Sequence, residues 1–208
     1  MKKNEISLKT SRQIKSEATI NKIINSTEKI LKKYGMEALT VSNICKDVNI
    51  SNGTFFHYFK SKTYLLAYFL NEGFRTYLQK NNKNFSTICS ASEDFKESII
   101  TIYLEYINYC EFIGIDFISQ YYIPQNPSLN RYNENNDDDI VSMYILEELN
   151  IAYANKLIKP NCDIDEIEKD LCIIIKGIIF DWCLSQGKNN MKIKTKQLLS
   201  MYLNAVSI

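Results

Sequence analysis

Leu39-Thr-Val-Ser-Asn-Ile-Cys-Lys-Asp-Val-Asn-Ile-Ser-Asn-Gly-Thr-Phe-Phe-His-Tyr-Phe-Lys-Ser-Lys62 reads as two short helices joined by a tight turn. Thr40 or Ser42 caps the first, because a hydroxyl accepts a free N–H of the opening turn. Ile44, Cys45 and Val48 then recur at helical spacing and face inward. Asn49-Ile50-Ser51 is the turn. The second helix, Asn52 to Phe59, is too short to stand alone in water and must be held by packing. Phe55 and Phe59, four residues apart, supply that packing.

The pattern upstream is a longer helix. From Ser11 to Tyr34, apolar or small residues recur at Ile20, Ile23, Ile24, Thr27, Ile30, Leu31 and Tyr34, and Gly35 is placed to cap the end. Residues 1–10 are polar and basic and are expected to be poorly ordered; Lys2, Lys3, Lys9, Arg12 and Lys15 read by default as a solvated tail, with an arm into the DNA minor groove as the alternative. Downstream, Ser61 caps a helix to about Asn84. Further helices are expected from Ser92 to about Gly114, from Asp116 to Ile123 before Pro124 and Pro127, and from Asp139 to about Lys159. A polar, acidic stretch at 130–139 reads as a solvated loop. Asp163 and Glu166 open a helix that runs to about Gln186 and stops at Gly187, and a last helix covers about Lys192 to Val206. The expected fold is all-α, with about nine helices. A three-helix N-terminal domain at 1–62 precedes a larger helical domain at 63–208.

With 45% hydrophobic and 24% charged residues, the chain has ordinary globular composition, and only 3 prolines and 6 glycines favour long helices. No apolar stretch approaches the roughly 18–20 residues that span a bilayer, and the start lacks a signal-peptide pattern. A cytoplasmic protein with no membrane partner is expected. The net charge of +1 hides an asymmetry: residues 1–62 hold 12 Lys and Arg against 5 acids, +7, and the rest hold 13 against 19, −6. A basic N-terminal segment suits a polyanion.

Six cysteines (Cys45, Cys89, Cys110, Cys162, Cys172, Cys183) form no C-x-x-C pair. Cys172 and Cys183 share a helical face, but eleven residues at about 1.5 Å each separate them by roughly 16 Å, too far for one zinc. Buried reduced thiols are the expectation, with no metal and no cofactor. No H-E-x-x-H, P-loop or nucleophile elbow appears, and the only histidine is His57, so an enzyme is not expected.

Thr40-Val41-Ser42-x-Ile44-x-x-x-Val48-x-Ile50-Ser51-x-Gly53-Thr54-Phe55-Phe56-x-Tyr58-Phe59-x-Ser61-Lys62-x-x-Leu65-Leu66 resembles the DNA-binding module of the TetR/AcrR family of bacterial repressors. With Leu31-x-x-Tyr34-Gly35, the resemblance covers about residues 15–70. It implies that Asn52, Gly53, Thr54, Phe56, His57 and Tyr58 meet double-stranded DNA on a recognition helix. It also implies a phosphate contact at Lys62 and a backbone or base contact at Ser42. Lys60 adds charge beside them. Asn52 suits adenine, and Gly53 permits close approach of the sugar-phosphate backbone. Two positions depart from the family pattern: Asn49-Ile50 replaces its Gly-Val, and Phe56 replaces its usual Tyr, removing a hydroxyl.

The resemblance further implies a homodimer and a small-molecule effector that releases a pseudo-palindromic operator. A protein-binding adaptor or an activator is the alternative. Tyr103, Tyr106, Tyr109, Phe112, Phe117, Tyr121 and Tyr144 are the candidate effector-pocket residues, because tyrosines offer apolar bodies with polar tips. The few charges among them favour a hydrophobic or aromatic ligand. The expected dimer surface is Ile175, Ile179, Trp182 and Cys183 of the 163–186 helix with Leu198, Leu199 and Tyr202 of the last.

Overall fold

The computed structural model describes residues 10–81, 83, 94–123 and 140–208; among these, nine α-helices carry the chain and an isolated antiparallel bridge joins Ile158 to Ser207. The expected loop at 130–139 lies outside the described residues. Two units divide the chain, Met1–Leu65 and Leu66–Ile208.

In the first unit, α1 runs Ser11–Tyr34. Thr10 and Gln13 form a reciprocal capping box, and Gly35 closes the helix at φ 76°. Thr40 is the cap of α2 (Val41–Val48), its hydroxyl accepting the Asn43 N–H at 3.1 Å. Asn49 ends α2 in the left-handed region at φ 57°, a conformation that asparagine tolerates better than branched residues. Ser51 then caps α3 (Asn52–Tyr58) by accepting the Thr54 N–H at 3.0 Å. The core is Ile23, Ile30, Leu39, Ile44, Phe55 and Phe59, all buried. Lys29 of α1 pairs with Asp47 of α2 and holds that carboxyl below its usual range.

Helix α4 (Lys62–Lys80) starts in the first unit and continues into the second. There follow α5 (Phe95–Ile113, capped by Asp94), α6 (Ile115–Tyr121), α7 (Ile140–Ala154), α8 (Ile164–Leu184, capped by Asp163) and α9 (Met191–Val206, capped by Asn190). Helices α7 and α9 each pack on both α5 and α8, and α6 bridges α5 and α8 as well. Helix α7 stops at Ala154, short of the expected Lys159. Lys156 takes φ 60°, and Ile158 and Lys159 are drawn into backbone pairing with the end of α9. Gly73 of α4 faces the Tyr109 hydroxyl so closely that a Cβ there would sit 2.0 Å from it.

Candidate nucleic-acid interface

Helix α3 divides its residues sharply. Phe55 is fully buried, its ring 5.8 Å from Phe59, and it anchors the helix on the unit's core. Asn52, Gly53, Phe56 and His57 are exposed, and Thr54 and Tyr58 are half-buried. Cys45 Sγ lies 3.7 Å from the Ser51 carbonyl, fixing the turn on α2. The seven residues of α3 are therefore held from behind and from their N-terminal end, leaving one face open.

On that face, Phe56 is 50% exposed and meets Phe55 edge-on at 5.4 Å. His57 lies edge-on to Tyr58 at 5.1 Å. Thr54 Oγ1 is 2.9 Å from Ser51 Oγ; when Ser51 donates, the Thr54 proton is free for a phosphate oxygen. A Cβ built on Gly53 would meet only Ser51 Oγ, at an ordinary 3.7 Å, so internal packing does not require glycine there. Ser42 and Lys60 are exposed. Lys62 is half-buried at the first turn of α4, and burial pushes its ammonium below the usual range while Glu37 acts the other way.

Two residues read from sequence as a solvated tail or a minor-groove arm lie beside this face. Arg12 and Lys15 lie in the first turns of α1 and, with Ser11, Ser16, His57 and Tyr58, line a cleft of about 470 Å³. The available signal was a basic pair at i, i+3 with no acid in that helix's first turn.

In the second unit, Tyr103, Tyr109, Phe117 and Tyr121 are buried and Tyr144 is half-buried. The Tyr106 and Tyr122 hydroxyls meet at 3.1 Å, and desolvation pushes both phenols well above their usual range. Tyr122 was missed by the sequence reading. Phe74 joins these rings, 5.4 Å from Tyr106 and 5.3 Å from Tyr109. Phe112 departs from the expected group: it is 70% exposed and rests on Tyr77 at 5.4 Å. Its position near the end of α5 turns it outward.

The expected dimer surface needs a larger correction. Ile175, Ile179, Trp182 and Leu199 are buried within one chain, because α8 packs against α6, α7 and α9 at once. Leu198 of the expected set does face outward, and the other outward apolar residues are Ile173, Phe180 and Leu184 of α8 and Ile193 and Met201 of α9. Cys183 and Tyr202 are half-buried, and Tyr202 donates to the Asp170 carboxylate at 2.7 Å. Among the described residues, no group of three His, Cys, Asp or Glu is placed to hold a metal, and no helix is long and apolar enough to cross a membrane.

Residues 23–69 match the family model described as bacterial regulatory proteins, tetR family. An uncharacterized HTH-type transcriptional regulator of Haemophilus influenzae is 26% identical over 86 residues. That match takes in 41% of this chain and 46% of the relative, so the chain spans less than half the length of the curated relative it matches. Thermus thermophilus FadR, a TetR-family repressor in complex with lauroyl-CoA, superposes with a TM-score of 0.71 at 14% identity, covering 88% of this chain and 93% of that one. Bacillus subtilis FadR in complex with stearoyl-CoA gives 0.55 at 15% identity, over 89% and 98%. At these identities the structures establish a shared fold.

Proposed function

We propose that the chain, whose residues 23–69 match the tetR-family model, is a tetR-family transcriptional regulator and that it is a repressor. In this reading it binds a pseudo-palindromic operator as a homodimer and is released by a small hydrophobic or aromatic effector. The observation that carries the DNA claim is the open face of α3, where Asn52, Gly53, Phe56 and His57 are exposed side by side and packing does not require glycine at position 53. Asn52 and His57 read base edges, Phe56 packs on a thymine methyl, and Thr54, Tyr58 and Lys62 hold phosphates. Lys60 adds charge and Ser42 a backbone or base contact.

One recognition helix reads too few bases, so two are needed, about 34–36 Å apart. The outward apolar residues of α8 and α9 support a second copy of this chain as the partner there. The aromatic cluster on α5 and α6 supports an apolar effector, and the acyl-CoA complexes of the same fold make acyl thioesters the first class to test. Phe74, which packs on Tyr106 and Tyr109, belongs to the same helix that begins at Lys62. An effector that displaces these rings acts on α4, and it weakens DNA binding only to the extent that it binds the two states unequally.

The test is a gel-shift series on a duplex from the gene's own promoter region. The wild type forms a specific complex, and Tyr58→Ala with Lys62→Ala abolishes it. No specific complex at low salt, or one indifferent to the double substitution, defeats the proposal. For the dimer, Phe180→Asp with Met201→Asp halves the mass seen by light scattering.

A further inference from the structure

The cleft between α1 and α3 is lined by Ser11, Arg12, Lys15, Ser16, His57 and Tyr58, and no acidic residue lines it. It lies wholly within the first unit. His57, on the exposed face of α3, forms one wall, so the cleft is continuous with the recognition surface. Elsewhere on α1 the picture differs: Lys29 is paired with Asp47, and Lys32 with Glu28. Neither Arg12 nor Lys15 has a carboxylate partner among the described residues.

That contrast is physically informative. Cations at a helix N-terminus oppose the helix dipole, and α1 carries no acid in its first turn to offset them. The backbone end is already served, since Thr10 and Gln13 cap each other. The cleft's capacity therefore resides in side chains: a guanidinium, an ammonium, two serine hydroxyls and a tyrosine around a space of about 470 Å³. A guanidinium fork matches a phosphate in two parallel hydrogen bonds, and an ammonium adds point charge.

We propose that this cleft seats a phosphodiester of the DNA backbone, with Arg12 and Lys15 as its ligands, extending each protomer's footprint beyond the recognition helix. The contact is sequence-independent and sets register and salt sensitivity rather than base choice. It rests on the DNA-binding reading above.

The experiment measures affinity against KCl concentration for a promoter duplex and an unrelated duplex of equal length. It compares the wild type with Arg12→Gln/Lys15→Gln and with Arg12→Lys; circular dichroism confirms that each folds. The expected result for the double variant is a shallower slope of log K against log salt, by about one to two per protomer, and equal loss on both duplexes. Arg12→Lys, which retains the charge, keeps most of the slope. An unchanged slope in the folded double variant, with normal wild-type binding, overturns this inference and leaves the repressor reading standing. A loss confined to the promoter duplex also overturns it, by making these residues base readers. A wild type that binds neither duplex overturns both. In a parallel arm, inorganic phosphate at fixed ionic strength is added without DNA. A thermal shift in the wild type alone, together with an unchanged DNA slope, assigns the cleft to a free anion and overturns the DNA assignment.

Discussion

The two units put aromatic residues to opposite uses. In the first, Phe55 and Phe59 are buried while Phe56 and His57 stand in solvent on the next positions of the same helix. In the second, the rings of α5 and α6 other than Phe112 pack inward, and the Tyr106 and Tyr122 hydroxyls meet one another. The difference shows what constrains each sequence. A helix that meets an external partner of fixed shape must hold given residue types at given places. A helix that packs on its neighbours needs only apolar volume at the right period.

The adjacent phenylalanines offer the largest break in that comparison. Phe55→Ala should cost about 3–5 kcal/mol of stability, enough to unfold the helix-turn-helix unit in thermal melts. Phe56→Ala should stay within about 0.5 kcal/mol of the wild type while weakening DNA binding. Equal losses of stability would mean that Phe56 is structural and α3 has no outward face.

Glycine makes the next contrast. Gly73→Ala should cost about 1–3 kcal/mol, because the new methyl collides with the Tyr109 hydroxyl. Tyr109→Phe removes the colliding atom, so the double variant should recover most of the loss in a double-mutant cycle. Gly53→Ala should do the reverse: no loss of stability, and a gain of up to about 1 kcal/mol from helix propensity. Its DNA affinity should nevertheless fall about tenfold or more. A Gly53→Ala protein that binds DNA normally would remove the close-approach argument.

The smallest effect concerns Asp47. Its carboxyl is held below the ordinary range by Lys29, so the stabilisation is present above the unfolded-state pKa and lost as pH falls through the folded one. Asp47→Asn should therefore melt slightly below the wild type at about pH 7, and the gap should close as the pH falls through the depressed folded-state pKa.

Much of the first unit is legible because its signals are local. The limits of α1, the Gly35 cap and the left-handed Asn49 each follow from a few neighbouring residues. The open face of α3 is legible for the same reason, since Phe55 and Phe59 fix which side is buried, whereas only the fold brings Arg12 and Lys15 beside His57. The second unit resists because its decisive facts are non-local. Helix α8 is apolar on both sides, and periodicity does not reveal which side three neighbours will cover. Ile173, Phe180 and Leu184 look as buriable as Ile175, Ile179 and Trp182 until α6, α7 and α9 take their places. The early end of α7 likewise depends on backbone pairing with residues almost fifty positions later.

On the proposed effector reading, the Tyr106–Tyr122 hydroxyl pair would act as a chemical filter on a guest of the aromatic cluster. Both phenols are neutral and desolvated, so a guest that parts them leaves two orphaned dipoles. Each orphan costs about 1–3 kcal/mol unless the guest replaces the lost partner. Such a site would discriminate against a bare hydrocarbon and favour a molecule with one well-placed oxygen over its saturated analogue of the same size.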